Sequence, residues 1–389
     1  MSHHTTPSKG FWTPANILTA VILAIGLVLT VKRFTMGIGS VTNLTDDNPW
    51  GIWIGFDLLC GVALAAGGYT TTAAVYLFGM KKYQSAIRPA ITTAFLGYTF
   101  VVIALLYDLG RYYRLPYPLT IYPGPTSFLF EVGLCVALYL TVLAIEFSPA
   151  LWEVLRWKRL RYYAHSLTLV LTIFGVVLST LHQSSLGGLY LIAPSKLHPL
   201  WYSPYLTMFF FVSSIPAGLS MVIFEGGLSH KFLHHKMDDR HLAESSGVTL
   251  GFSKAAAVVL FAYFNLKWIG VALDHNWQHL ATGWGAWFLV EMFGFVLVPC
   301  LMYAVAAREK NEKLAFWASI LTILGIVINR LNISLIAFNW QLPAEARYLP
   351  SWEEIFITVF IITLEVTVLR ICLSKLPILH EHPEFKGAH

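Results

Sequence analysis

Charge is what this chain has least of. Only 12% of its 389 residues are Asp, Glu, Lys or Arg, against about 25% in a soluble domain. Hydrophobic residues make up 56%, and the mean hydropathy is +0.63. That shortage excludes soluble, nucleic-acid-binding and disordered classes and leaves a polytopic membrane protein. Cysteine is also sparse. Cys60, Cys135, Cys300 and Cys372 lie far apart inside apolar runs, and no CxxC occurs. The chain therefore offers neither an iron–sulfur nor a zinc signature, nor a disulfide framework, and the four are read as small packing residues. "SLGGLY" lacks the strand–turn–helix setting of a dinucleotide fingerprint. "MSHHTTPSKG" runs into a full-length apolar span without a small-residue cleavage site, so no cleaved signal peptide is expected.

Histidine pairs for a haem are missing too. A b-type haem needs two axial ligands from facing helices, yet only His165 and His182 fall at span ends, both on span five. Seventeen residues separate them, ~25 Å along a helix, too far to share one iron. No haem and no metal ligand set is predicted. "SHKFLHHKMDDRH", with His230, His234, His235 and His241, carries no cysteine and many lysines, and is read as a solvated basic loop rather than a zinc site.

What the chain does have is apolar runs of about 20 residues, the length that crosses a bilayer. Ten are present, roughly 14–34, 50–78, 88–108, 127–147, 164–184, 204–226, 252–273, 284–306, 314–338 and 352–372. The second is long, and Gly67-Gly68 is a candidate kink. The expected fold is all-α, with a cytoplasmic tail 1–13, an integral domain 14–376 and a cytoplasmic tail 377–389. The connector 227–251 is the longest. "FLFEVGLCVALYL" in span four and "WFLVEMFGFVLVPC" in span eight each carry a Glu near the same end. That faint repeat points to two four-helix bundles with the first and last helices outside.

Lys and Arg set orientation. Eighteen fall on the side shared by the two termini; six fall opposite (Lys32, Arg33, Arg111, Arg114, Lys196, Arg347), and Lys267 and Arg330 lie within spans. Both termini are thus expected in the cytoplasm of a bacterial inner-membrane protein.

Ionisable groups inside a bilayer cost several kcal/mol unless they face protein or water. Glu131, Lys267, Asp57, Glu291 and Arg330 are expected ~6–12 Å below the periplasmic boundary at ~1.5 Å per residue. Asp108 and His182 are expected at the periplasmic ends of spans three and five. The cytoplasmic half holds Glu365, with Glu146 and Glu225 near its boundary. Helix glue would be scattered in depth; concentration in one half suggests a polar cavity opening to that face.

The blocks "VKRFTMGIGSV", "NPWGIWIGFDLL", "YDLGRYY", "FEVGLC", "LHQSSLGGL", "HPLW", "VIFEG" and "PSWEE" resemble the NrfD/polysulfide-reductase membrane subunits over about residues 30–375. The branch most resembled is the HybB-type, hydrogenase-linked one. Similar subunits serve complexes built around a high-molecular-weight multihaem cytochrome c, and this length suits those. The resemblance implies a haem-free, non-catalytic-alone subunit of a quinone-linked oxidoreductase in anaerobic respiration. It would bind a periplasmic ferredoxin-like iron–sulfur protein together with a multihaem cytochrome c or hydrogenase module, and other membrane subunits. It would take menaquinone, as an exchangeable ligand, near the periplasmic face, and some members are proposed to move protons.

Quinone chemistry moves two electrons and two protons. Histidine suits the carbonyl donor, and a partly buried carboxylate suits the proton relay. His182, Asp57, Asp108, Glu131, Gln183, Arg111 and Tyr112 are the quinone or relay candidates, with Tyr107 and Tyr113 as ring neighbours. Lys267, Glu291 and Arg330 form an expected charge network, and Glu146, Glu225 and Glu365 an expected cytoplasmic proton path. Two other readings stand beside this one, a structural anchor without an active quinone site and a secondary transporter. Transporter sites usually lie at the bilayer midplane on broken helices.

Overall fold

The computed structural model describes residues 13–380, so the expected tails 1–13 and 377–389 lie almost wholly outside the described residues. Ten helices are long and apolar enough to cross a membrane. They are α1 Pro14–Met36, α2 Trp53–Leu77, α3 Lys81–Asp108, α4 Phe128–Leu155, α5 Thr168–Leu191, α6 Leu206–Lys236, α7 Asp239–Leu273, α8 Gly283–Glu309, α9 Glu312–Ile336 and α10 Trp352–Lys375. No strand occurs among the described residues. Helix starts carry side-chain caps for otherwise orphaned N–H groups. Thr13 accepts from the Asn16 N–H, Asp238 from His241, Thr282 from Gly285 and Asn311 from Leu314. Ser351 and Glu354 cap α10 reciprocally.

Helices α2–α5 pack in a closed ring, α6–α9 form a second ring, and the two meet where α6 crosses α2 and α5. Helices α1 and α10 pair with each other and lean on α3, so the first and last helices stand outside two four-helix bundles, as expected. The connectors after α1, α3, α5, α7 and α9 share one end of the molecule. It carries few Lys and Arg and is called here the basic-poor end.

Three departures from the expected spans bear on the site. Helix α5 runs on to Leu191, through "HQSSLGGLY". A Cβ at Gly187 would lie 2.5 Å from the Leu206 carbonyl oxygen, and one at Gly188 would lie 2.6 Å from the Phe128 ring. The Gly-Gly pair is therefore a close helix contact within the membrane, a use of small residues that bilayers favour. The short helix Lys158–Ser166 is a separate element before α5. Most of the expected connector 227–251 is helical, leaving only a turn between α6 and α7.

Helix α2 breaks at Ala65-Ala66, one step before Gly67, and carries π-helical turns at Trp53–Leu58 and Ala73–Leu77. A Cβ at Gly218 of α6 would come within 2.4 Å of the Ala66 backbone, so the two backbones touch at the break. The Ala66 N–H turns to Ala63, which releases the Val62 carbonyl. The Gln183 side-chain amide donates to that carbonyl at 2.9 Å and reseals the break from α5.

Candidate functional site

Seven charged side chains are buried among the described residues: Arg33, Asp57, Glu153, Lys267, Glu291, Arg330 and Glu354. All but Glu153 sit in the half of their helix nearer the basic-poor end. They form two clusters.

The first lies where α1, α2, α3 and α10 meet. The Arg33 guanidinium donates to the Tyr107 and Leu109 carbonyls at 2.8 and 2.7 Å, satisfying acceptors left open by the end of α3. Asp108, next in the chain, has Oδ1 buried without a hydrogen-bond partner and lies within electrostatic reach of Arg33 and Glu354. Glu354, fully buried, accepts from the Tyr348 hydroxyl at 2.5 Å and from the Asn43 and Ser351 N–H groups at 3.1 and 2.8 Å. Burial beside this carboxylate pushes the Tyr348 phenol well up from its ordinary value. Asp57 Oδ2 accepts from the Thr358 hydroxyl at 2.8 Å. The segments "NPWGIWIGFD" and "PSWEE", about 300 residues apart in sequence, thus build one site.

The second cluster fills α6–α9. Glu291 accepts from Trp201 Nε1 at 2.7 Å, Asn329 Nδ2 at 2.7 Å and Asn332 Nδ2 at 2.5 Å. Asn329 passes the network on to Arg330 at 2.9 Å, and Arg330 also donates to Ser213 and stacks 3.8 Å over the Phe210 ring. The Lys267 ammonium lies over the Phe209 and Phe288 rings at 5.0 and 5.5 Å. Lys267, Glu291 and Arg330 share this region, where two asparagines and a tryptophan connect Glu291 and Arg330 by hydrogen bonds. Above it, in the connector before α6, His198 is enclosed by Trp201, Trp284, Trp340 and His279. Burial, then the neighbouring His279, lowers its pKa to about 4, so it is neutral at pH 7.

His182 belongs to neither cluster. With α5 running to Leu191, it sits nine residues inside the helix end and is fully buried, which corrects its expected place at the membrane face. Nδ1–H donates to the Leu178 carbonyl at 2.8 Å, and the Tyr98 hydroxyl donates to Nε2 at 2.5 Å. Tyr139 closes over the pair. No hydrogen bond or ion pair joins His182 to Asp57, Asp108 or Glu131 among the described residues. Glu131, in the first turn of α4, is only half-buried, and Arg111 and Tyr112 are exposed on the α3–α4 connector. The seven quinone candidates therefore do not converge. Asp57 and Asp108 share the first cluster, Tyr112 lies beside it against Phe34 and within electrostatic reach of Arg33, His182 and Gln183 share the core of α2–α5, and Glu131 and Arg111 stand apart.

At the opposite end, Arg88 grips Glu153 through two hydrogen bonds of 2.8 and 3.0 Å, and Arg161 adds a third at 2.9 Å. Glu146 accepts weakly from Thr172 at 3.5 Å, and Glu225 accepts from Thr93 at 2.6 Å. Glu365 lies within electrostatic reach of both Asp57 and Glu225. Arg33, Glu354, Tyr348, Tyr98, Trp201, Asn329 and Asn332 are the residues sequence reasoning did not select. "PSWEE" and "HPLW" contain two of them, Glu354 and Trp201, but Arg33 reads as a loop charge and the asparagines as ordinary span residues.

Among the described residues no two buried histidines face each other as a haem pair would. The two buried histidines among the described residues are His182 and His198; both ring nitrogens of His182 are engaged, and His198 sits outside the bundles. No group of three His, Cys, Asp or Glu side chains suited to a metal occurs among the described residues.

Comparison with known proteins adds three relationships and a family match. Residues 40–339 match the family model described as polysulphide reductase, NrfD. A protein of Nitratidesulfovibrio vulgaris is 64% identical over 386 residues, covering 99% of this chain and 100% of that one. A probable Ni/Fe-hydrogenase 2 b-type cytochrome subunit of Escherichia coli is 33% identical, covering 97% and 96%. The integral membrane subunit of a menaquinone reductase of Nitratidesulfovibrio vulgaris is 29% identical, covering 92% and 90%.

Proposed function

This chain belongs to the polysulphide reductase NrfD family, and from that premise we propose that it is a haem-free subunit exchanging electrons between menaquinone and a partner at the basic-poor end. It is a multi-pass membrane protein of a family whose members serve quinone-linked redox complexes. The finer reading places the basic-poor end in the periplasm and both termini in the cytoplasm of a bacterial inner membrane, following the excess of Lys and Arg opposite. Partners there are an iron–sulfur protein and a multihaem cytochrome c or hydrogenase module, because no side chain of this chain stores electrons.

The observation that carries the reading is the six-to-one distribution of buried charged side chains toward that end. Within the first cluster Asp108 offers the chemistry. Its free, buried Oδ1 is an acceptor for a quinol hydroxyl, and Arg33 beside it holds the carboxylate in place as charge develops. Asp57, one helix away and held by Thr358, is the second proton acceptor. Each carboxylate takes one of the two protons released as quinol is oxidised, and both electrons leave to the partner's cluster. Glu365, between Asp57 and Glu225, supplies the route by which a proton would continue across. His182, held by Tyr98 and the Leu178 carbonyl within the bundle, is bonded to neither carboxylate and takes no part in this site.

Asp57→Asn and Asp108→Asn in the assembled complex are expected to lower menaquinol-linked electron flow ~100-fold, the usual weight of a lost proton acceptor. Co-purification of the partners checks assembly. Unchanged flow in both variants with partners bound would favour the anchor reading. One observation supports that alternative: both oxygens of Glu291 are already hydrogen-bonded, as in a structural network.

A further inference from the structure

Two openings lie at the basic-rich end, opposite the cluster just described. One, about 270 Å³, is lined by the Arg88–Glu153–Arg161 bridge. The other, about 570 Å³, is a cleft between α3, α6, α7 and α10. Its walls are apolar, with Leu228 and Phe232 from α6 and Leu369 from α10, and Arg370 stands exposed at its mouth. Its inward end is Thr93 and Glu225. The Thr93 hydroxyl occupies Glu225 Oε2, while Oε1 is buried with no hydrogen-bond partner.

A buried carboxylate oxygen without a donor requires one from whatever fills the space. One carboxylate and one hydroxyl are too few oxygens for a calcium or magnesium ion. A phosphate head would set like charge against Glu225. What satisfies both walls and floor is a neutral O–H donor on a flat apolar body with a hydrocarbon tail, and a volume of this size is ordinary for such a ligand. We propose that this cleft binds the head of an isoprenoid hydroquinone, with Glu225 Oε1 accepting a ring hydroxyl, as a second site apart from the basic-poor cluster. Choosing a hydroquinone among hydroxylated amphiphiles rests on the quinone-linked reading above.

With Glu225 ionised, Oε1 is an acceptor only, and this sets a redox preference. A hydroquinone presents O–H groups to Glu225, whereas the oxidised quinone presents only acceptors. Photolabelling of the purified complex with a diazirine-bearing short-chain naphthoquinone, presented reduced or oxidised, followed by peptide mapping, reads this directly. Labelling of residues 222–233 and 366–373 is expected, about tenfold stronger for the reduced probe and displaced by excess hydroquinone. Glu225→Gln, whose amide both donates and accepts, should erase the preference while keeping the cleft labelled. Ser245→Phe, on the α7 wall, should block labelling without touching Glu225. Label confined to residues around 57, 108 and 354 overturns the cleft and leaves the proposed function standing. Label in the cleft that ignores redox state and yields only to phosphatidylglycerol makes it a phospholipid groove and overturns the proposal. No displaceable label anywhere overturns both.

Discussion

Helices α2–α5 and α6–α9 have the same connectivity, yet they hold their polar interiors in different ways. The second bundle buries three charged side chains, and its carboxylate, Glu291, is saturated by three donors. The first buries Asp57 and Glu153 toward its two ends and keeps its centre polar but neutral around Tyr98, Tyr139, Ser179, His182 and Gln183. Nine buried side-chain atoms lack a hydrogen-bond partner among the described residues, and five of them belong to Thr71, Tyr139, Ser179, Gln183 and Tyr190 of α2, α4 and α5. A carboxylate with both oxygens engaged, as Glu291 has, fixes the helices that share it even though Arg330 Nε stays unpartnered. An under-bonded neutral core has several arrangements of similar energy, and it adjoins the broken helix α2. The second bundle therefore reads as the frame, and the first, with α1 and α10, as the part able to adjust.

Removing Glu291 tests the frame most severely. Glu291→Ala leaves Trp201, Asn329 and Asn332 without their acceptor, takes the Glu291 charge from Arg330 and leaves Lys267 only Asp274 as a nearby anion. Breaking one partner out of a buried charged network costs ~3–5 kcal/mol. Unfolding in detergent followed by near-UV circular dichroism should show a loss of that order, along with failed partner assembly. A loss below ~1 kcal/mol would place Glu291 in an adaptable site and erase the contrast.

Tyr98→Phe makes the matching change in the first bundle. It removes one hydrogen bond and strands His182 Nε2, which costs ~1–3 kcal/mol. Because Ser179 and Gln183 lie beside Tyr98, either can turn toward the imidazole, so the lower end of that range is expected. The same unfolding measurement applies, and a cost equal to that of Glu291→Ala would mean that both cores are equally rigid.

The two bundles were legible as apolar runs because a bilayer demands about 20 residues per crossing wherever they occur. The end of α5 was not. "SSLGGLY" carries weak helix formers and reads as a terminus, but Gly187 and Gly188 are set by Leu206 and Phe128, contacts that no local pattern reveals. His182 was misplaced for the same reason, by two turns of helix. Asp57 and Asp108 are visible in the sequence because a carboxylate in an apolar run stands out. Arg33 was not, since its partners are backbone carbonyls of another helix and leave no trace in side-chain spacing. The charge network was half legible: Lys267, Glu291 and Arg330 were visible as charges, while Asn329 and Asn332 connect them only in three dimensions.

The smallest expected effect is a pH dependence where the frame meets the basic-poor surface. His198 is held neutral among three tryptophans, with a folded pKa of about 4, below the ~6.5 of an exposed imidazole. Between those values the unfolded chain binds a proton that the folded chain refuses. Stability from this residue is therefore complete above pH ~6.5 and is lost as pH falls toward about 4. His198 Nδ1 accepts from the Leu200 N–H at 3.2 Å, a role an asparagine oxygen can fill without titrating. His198→Asn should accordingly flatten the decline in melting temperature between pH 6.5 and 4 while leaving the value at pH 7.5 nearly unchanged. His279 shares the same face of the ring, so His279→Asn measured in parallel separates its contribution. If neither variant alters the slope, the acid sensitivity belongs to the buried carboxylates of the first cluster, and the frame is indifferent to pH up to its outermost layer.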